Sequence, residues 1–85
     1  MANTVFYRKV MMDGIERECT FQQTFFGYEL MYQIDVNDGY GRISFRMTRD
    51  ENKGRWKIAP QVLPVWIFDC EPALSDIIEE DLQER

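Results

Sequence analysis

Histidine is absent from this sequence of 85 residues. It is the commonest general base and the commonest metal ligand, so its absence removes Ser–His and Cys–His nucleophile pairs. Catalysis would have to rest on carboxylates, lysine, tyrosine or cysteine, and we find no catalytic motif built from these residues. We therefore expect no enzyme, no catalytic residue and no cofactor.

Calcium-binding loops are also absent, although two segments contain part of their pattern. Asp35 and Asp50 each begin an Asp-x-Asn-x-Gly sequence. Neither segment has glycine at the sixth position, and the twelfth positions hold Arg46 and Gln61 instead of glutamate. Both segments are predicted to be turns, and we expect no metal site.

Cysteine is scarce, with only Cys19 and Cys70 present. Two cysteines are too few for a disulfide scaffold and are typical of reduced thiols in a cytosolic protein. Cys70 precedes a predicted helix whose dipole would lower its pKa, although a structural role is favoured for both thiols. Long apolar runs are missing too, so neither a secretory signal nor a membrane span is predicted. We expect a cytoplasmic protein without membrane association.

Basic residues are outnumbered by acidic ones, ten to 15, and the net charge is −5. This balance argues against nucleic-acid binding, because phosphate contacts need concentrated lysine and arginine. The charge is unevenly distributed. Residues 42–57 carry six basic and two acidic side chains, whereas residues 69–85 carry one basic and seven acidic ones. The first segment favours an acidic protein partner, and the second favours a basic one.

The clearest structural pattern is the alternation over residues 28–36, in which every second residue is Tyr, Leu, Ile or Val. A period of two predicts a strand with one apolar face. Similar stretches predict further strands over residues 4–12, 15–25, 42–48 and 55–58. We expect one domain of 85 residues that contains an antiparallel meander of these five strands.

Turn residues predict how the first three strands pair. Asp-Gly at residues 13–14 is typical of a two-residue hairpin turn, because type I′ needs positive φ at both central positions. That turn places Phe6 opposite Phe21. A turn at residues 26–27 would in the same way place Phe21 opposite Tyr32.

The third connection leaves two registers open. A turn at residues 38–39 would place Tyr32 opposite Phe45, whereas a four-residue loop would shift the pairing and keep the faces. With two-residue turns throughout, one aromatic row crosses the inner face of the sheet: Phe6, Phe21, Tyr32 and Phe45.

The C-terminal part is predicted to cover this apolar face. Pro64 excludes a long helix over residues 61–68, so an extended or single-turn segment is expected there. A helix over residues 72–84 begins at Pro72, with Glu71 as its cap. We therefore predict an α+β fold, in which this segment and a single helix cover one face of the five-stranded meander.

Arg8 and Arg17 are exceptions on the predicted inner face, because arginine is seldom buried without a partner. Either the helix leaves this end of the sheet uncovered, or an acid from the tail reaches them: Asp76, Glu79 or Glu80. The alternative is a site for an anionic ligand, since guanidinium groups bind carboxylates and phosphates. The structural interpretation is favoured over the anion-binding one.

The outer face of the last two predicted strands combines four cations: Arg42, Arg46, Arg55 and Lys57. A solvated surface is the simplest interpretation, and the functional one is a docking patch for an acidic partner. The same face carries Val5, Tyr7, Met11 and Met31. Because the predicted helix covers only the other face, this open face could serve a protein partner or self-association.

Three functions fit these patterns. The first is a non-catalytic protein-interaction module that docks through the open sheet face or an edge strand, and the missing catalytic groups favour it. The second is an acidic inhibitor, of the immunity or antitoxin kind, that blocks a basic site with its tail. The third is a small anion-binding domain that uses Arg8 and Arg17.

Overall fold

The computed structural model describes residues 5–84. The strands are β1 Val5–Met12, β2 Ile15–Phe26, β3 Glu29–Asn37, β4 Arg42–Asp50 and β5 Arg55–Ile58. They are followed by helices α1 Val65–Phe68 and α2 Glu71–Gln83. The strands form one antiparallel sheet in the order β1-β2-β3-β4-β5. The α+β meander is confirmed, while Thr4, the predicted start of the first strand, lies outside the described residues.

The first hairpin forms as the Asp-Gly signal predicts. Asp13 and Gly14 have φ angles of 55° and 75°, and positive values at both positions are what a type I′ turn requires. The turn sets Phe6 opposite Phe21. Their rings stack, with centroids 4.9 Å apart, so this part of the predicted register is confirmed.

The second hairpin turns one residue later than predicted. Gly27, with a φ of 66°, takes the first turn position, and Phe26 remains in β2. A turn at residues 26–27 would have drawn Phe26 out of the extended conformation that bulky residues favour in strands. Phe21 therefore lies opposite Ile34 rather than Tyr32.

The third hairpin uses the four-residue loop, residues 38–41. Asp38 Oδ1 accepts hydrogen bonds from the backbone N–H groups of Tyr40 and Gly41 at 2.8 and 2.7 Å. These bonds hold the pKa of the Asp38 carboxyl below its ordinary value. Phe45 consequently faces Ile34. The predicted place of Tyr32 in the inner row is therefore wrong, and the row is Phe6, Phe21, Ile34 and Phe45.

The core lies between the inner face of the sheet and the C-terminal helices. Buried side chains come from all five strands and from both helices. Tyr32 stays in this core, with its ring edge-on to Trp56 at a centroid distance of 5.2 Å. Of the two conformations expected for residues 61–68, extended or single-turn, a single turn forms after Pro64 as helix α1, and it contributes Ile67 to the core.

Helix α2 closes the free edge of β5 with two side chains. Ser75 Oγ accepts the backbone N–H of Trp56 at 3.0 Å, and Glu71 Oε2 accepts that of Ile58 at 3.1 Å. The predicted cap is wrong, because α2 begins at Glu71 and its N-cap is Cys70, which makes no side-chain capping bond. The Glu71 carboxylate binds β5 instead of the end of its own helix.

Candidate functional site

The outer face of the sheet is left uncovered by the rest of the described fold. Among the described strands, every outward-pointing side chain is exposed or half-buried, whereas both helices contribute to the core on the inner side. A five-stranded sheet with cover on one face leaves the other face to solvent or to a partner.

All four predicted partner-binding residues are exposed on this outer face. We call them the cationic patch: Arg42, Arg46, Arg55 and Lys57. The register sets Lys57 opposite Thr48 and Arg55 opposite Asp50. The patch therefore extends over β4 and β5, and one of its four cations lies directly across from an acid.

Arg42 forms the one ion pair found among residues 5–84. Its Nη1 lies 3.7 Å from Asp35 Oδ2, and 73% of the Arg42 side chain is exposed. Ser44 Oγ donates a hydrogen bond of 2.6 Å to the other oxygen of Asp35. A long ion pair at the surface contributes about 0–1 kcal/mol, so the Arg42 guanidinium remains accessible to a partner.

The apolar part of the outer face lies on β1, at the opposite side of the sheet. Val5, Tyr7 and Met11 are 45%, 62% and 63% exposed. Met31 on β3 is half-buried among its neighbours. The outer face therefore has an apolar side on β1 and a cationic side on β4 and β5. The strands between them, β2 and β3, carry four outward-pointing acids: Glu16, Glu18, Glu29 and Asp35.

Arg17 is partly covered by the C-terminal segment. Its guanidinium carbon lies 4.0 Å from the centroid of the Trp66 ring, a cation–π distance. Its Nη1 also donates a hydrogen bond of 2.8 Å to the carbonyl of Met12. The sequence pattern placed Arg17 inward but did not reveal Trp66 as its partner, because that contact depends on the fold of residues 61–68.

Arg8 has its own aromatic neighbour and its own acceptor. Its guanidinium carbon lies 5.1 Å from the centroid of the Phe6 ring, and its Nη1 donates to the carbonyl of Tyr7 at 3.1 Å. Neither Arg8 nor Arg17 forms an ion pair with an acid in the part of the chain that is described. The two arginines share the inner face, and each contacts a different ring.

Both thiols are free and buried. Burial raises the pKa of Cys19 to about 11, and burial also raises the pKa of Cys70. Cys70 Sγ donates a weak hydrogen bond of 3.6 Å to the carbonyl of Met11. The expectation that the helix dipole lowers the pKa of Cys70 is therefore wrong, because loss of solvent opposes the thiolate more strongly.

The acids of the tail do not form one solvated surface. Asp81 is buried, and its Oδ2 accepts the hydroxyl of Tyr32 at 2.9 Å. Residues three or four apart lie on the same side of a helix. Asp81 follows Ile78 by three residues and Leu74 by seven, so this spacing would have identified Asp81 as a residue that points to the core. Two other acids of α2, Asp76 and Glu80, are exposed, and so is its C-cap, Glu84.

A second uncovered region lies at the tip of the β2–β3 hairpin. Phe25, Phe26 and Tyr28 are all more than half exposed there. Beside Tyr28 is a cleft of about 500 Å³, also lined by Arg49 and Trp56. The sequence pattern assigned Phe25 and Tyr28 to the covered face, and it missed this region because it could not show where the covering helix ends.

No three acidic or cysteine side chains within residues 5–84 lie close enough together to hold a metal ion. In the same range, no helix has the length and apolar character needed to cross a membrane. Comparison of the chain with protein-family models, with curated proteins and with solved structures found no match in any of the three.

Proposed function

We propose that this chain is a non-catalytic protein-interaction module that binds an acidic protein surface on the outer face of its sheet. One observation carries the proposal: no outward-pointing side chain of the described strands is buried, although the inner face is covered. The lack of histidine supports the absence of a catalytic role. Two free thiols support the cytoplasm as the proposed compartment.

The charge of the outer face along β4 and β5 supports the acidic character of the partner. The cationic patch places three arginines on one face, and arginine is enriched among the residues that dominate binding energy. Complementary charges speed association and orient the partner. Exposed Tyr7 and Met11 on the same face add apolar area that loses water on docking.

The test is capture of a partner by three forms of the tagged chain. The patch variant carries Arg42→Glu and Arg46→Glu. The control variant carries Arg49→Glu and Lys53→Glu, two exposed residues outside the cationic patch with the same change in net charge. We expect wild type and control to bind the same acidic protein, and the patch variant to bind it at least about tenfold more weakly.

Binding of the purified partner should also weaken as the salt concentration rises, because surface charges are screened. Unchanged affinity in the patch variant would refute the proposal. Equal loss in the patch and control variants would do so as well, since it would show that only net charge matters.

A second candidate is the acidic inhibitor, and the exposed acids of α2 favour it. Asp76, Glu80 and Glu84 are spaced by four residues, so they lie on one side of the helix. A basic partner that is lost on Asp76→Asn, Glu80→Gln and Glu84→Gln, and retained by the patch variant, would identify this function instead.

A further inference from the structure

The two edges of the sheet are treated differently by the fold. The edge of β5 is closed, because Ser75 and Glu71 accept its outward N–H groups. Within residues 5–84, β1 pairs with no strand except β2. No backbone group of another segment bonds to its second edge in that range. Within residues 5–84, side chains bond to this edge at the carbonyls of Tyr7 and Met11. The rest of the edge of this eight-residue strand is a template for an additional strand.

The parity of β1 shows which of its backbone groups point away from the sheet. Residues 13–14 form a two-residue turn, so Met12 and the even-numbered residues before it exchange hydrogen bonds with β2. Two side-chain bonds agree with this assignment. The carbonyl of Tyr7 accepts from Arg8 Nη1, and that of Met11 accepts from Cys70 Sγ. The outward backbone groups therefore belong to Val5, Tyr7, Lys9 and Met11.

The charges of this strand specify what would bind it. Within β1, Arg8 and Lys9 are the charged residues, and every other side chain is apolar or tyrosine. Arg8 lies on the inner face and Lys9 on the outer one. Consecutive residues of a strand point to opposite faces. In an added strand, the two residues that lie opposite Arg8 and Lys9 are therefore consecutive, one on each face.

We propose that the β1 edge binds an extended peptide segment by strand addition, and that the segment carries two consecutive acidic residues between apolar flanks. The backbone bonds to Tyr7, Lys9 and Met11 hold the segment, and its two acids contact Arg8 and Lys9 on opposite faces. This inference rests on the proposed function only in treating the chain as an interaction module, because the edge and the cationic patch are different surfaces.

A second copy of the chain fits this edge less well. If two β1 strands pair in antiparallel fashion, their inner faces must lie on the same side of the joined sheet. Among the registers that meet this condition, two pair the largest number of residues. One sets Arg8 opposite Arg8 of the second copy, and the other sets Lys9 opposite Lys9. Like charges directly opposite each other on neighbouring strands are destabilising. The charge pattern therefore favours an acidic strand over self-pairing.

The probe is a ten-residue synthetic peptide of alternating valine and threonine with glutamate and aspartate at its two central positions. Its control has two lysines at those positions. In the free protein, the amides of Tyr7, Lys9 and Met11 should exchange quickly with solvent, and those of Arg8 and Val10 slowly. The acidic peptide should slow the exchange of the Tyr7, Lys9 and Met11 amides. The lysine peptide should bind about tenfold more weakly than the acidic one.

Two variants test the edge itself. Tyr7→Pro removes one outward N–H on an edge strand, where proline is tolerated, and it should abolish binding. If that variant does not fold, Lys9→Glu serves instead. It should remove the preference, so that the acidic and the lysine peptides bind about equally, because Arg8 still attracts an acid while Glu at position 9 repels one. The Arg42→Glu and Arg46→Glu variant should bind the peptide normally, which separates this site from the cationic patch.

Absence of binding at millimolar peptide would overturn the inference, and so would binding that leaves the Tyr7, Lys9 and Met11 amides unprotected. Protection of these amides by dimerisation, without peptide, would assign the edge to a second copy and overturn it too. Capture of a protein through the cationic patch can succeed when the peptide fails, so the two proposals can be distinguished.

Discussion

Tyr32 shows how one side chain connects the sheet to the helix. Its ring is buried on the inner face of β3, and its hydroxyl donates to the buried carboxylate of Asp81 on α2. Gln23 Nε2 donates to the same hydroxyl oxygen at 3.3 Å. A buried carboxylate requires hydrogen-bond donors, which explains why a tyrosine rather than a phenylalanine lies here.

Tyr32→Phe should lower the free energy of unfolding by about 1–3 kcal/mol, because Asp81 then has one donor fewer inside the core. The measurement is urea denaturation at neutral pH. Tyr28→Phe is the matched control, since that side chain is fully exposed. Equal stability of the two variants would show that the Tyr32–Asp81 bond makes no net contribution.

Because of Cys19, we expect the free energy of unfolding to depend on pH in the alkaline range. The pKa of Cys19 is raised from the ordinary value of a thiol to about 11, chiefly by burial. A thiol whose folded pKa is raised contributes stability below its unfolded pKa and loses it as pH rises through the folded value. We expect the free energy of unfolding to fall between about pH 9 and 11, and Cys19→Ala to reduce that fall.

The comparison of wild type and Cys19→Ala cancels the titration of other groups, so the difference between their pH profiles is the quantity to measure. Profiles that are parallel from pH 8 to 11 would contradict the assignment. Below pH 8 the two profiles should be parallel, because the thiol of Cys19 is then protonated in both the folded and the unfolded state.

At the scale of secondary-structure elements, the short strand β5 depends on α2. Four residues make a marginal edge strand, and its outward N–H groups would be unsatisfied without the helix. Ser75 is 2% exposed and lies against the backbone of Trp56. The predicted helix was an apolar cover for the sheet face, and the structure shows that it also closes the edge of the sheet.

Ser75→Ala should lower the free energy of unfolding by about 1–3 kcal/mol, because the backbone N–H of Trp56 is then buried without an acceptor. Asp76→Ala, at the exposed neighbouring position, is the control and should have little effect. Thermal unfolding followed by circular dichroism measures both variants. A neutral Ser75→Ala variant would mean that water replaces the hydroxyl.

At the scale of the whole molecule, the cationic patch and the acids of the C-terminal helix lie on different surfaces. The cationic patch belongs to β4 and β5, whereas the exposed acids Asp76 and Glu80 belong to α2 and Glu84 is its C-cap. This separation gives a protein of net charge −5 one pair of strands that can attract acidic partners. The proposed function depends on this separation, and the Arg42→Glu and Arg46→Glu variant tests it.

The alternation of the sequence determined which face each strand residue occupies. The observed pairing of β2 with β3 differs from the predicted one by two residues, so Ile34 rather than Tyr32 lies opposite Phe21. Both residues are nevertheless on the inner face of the sheet. Face assignment is therefore insensitive to the error made at residues 26–27, whereas a one-residue shift would have reversed it. For the same reason, the outward position of the cationic patch could be predicted.

The sequence by itself determined the α+β meander, the first hairpin and the outward position of the cationic patch, because all three depend on local periodicity and turn chemistry. Only the tertiary structure decided the contacts between distant segments: Arg17 with Trp66, Tyr32 with Asp81, and Ser75 with Trp56. It also decided that α2 closes the edge of β5 and that, among the strands of residues 5–84, β1 pairs only with β2. These features depend on where the C-terminal segment packs, and the burial of its apolar residues against the completed sheet determines that position.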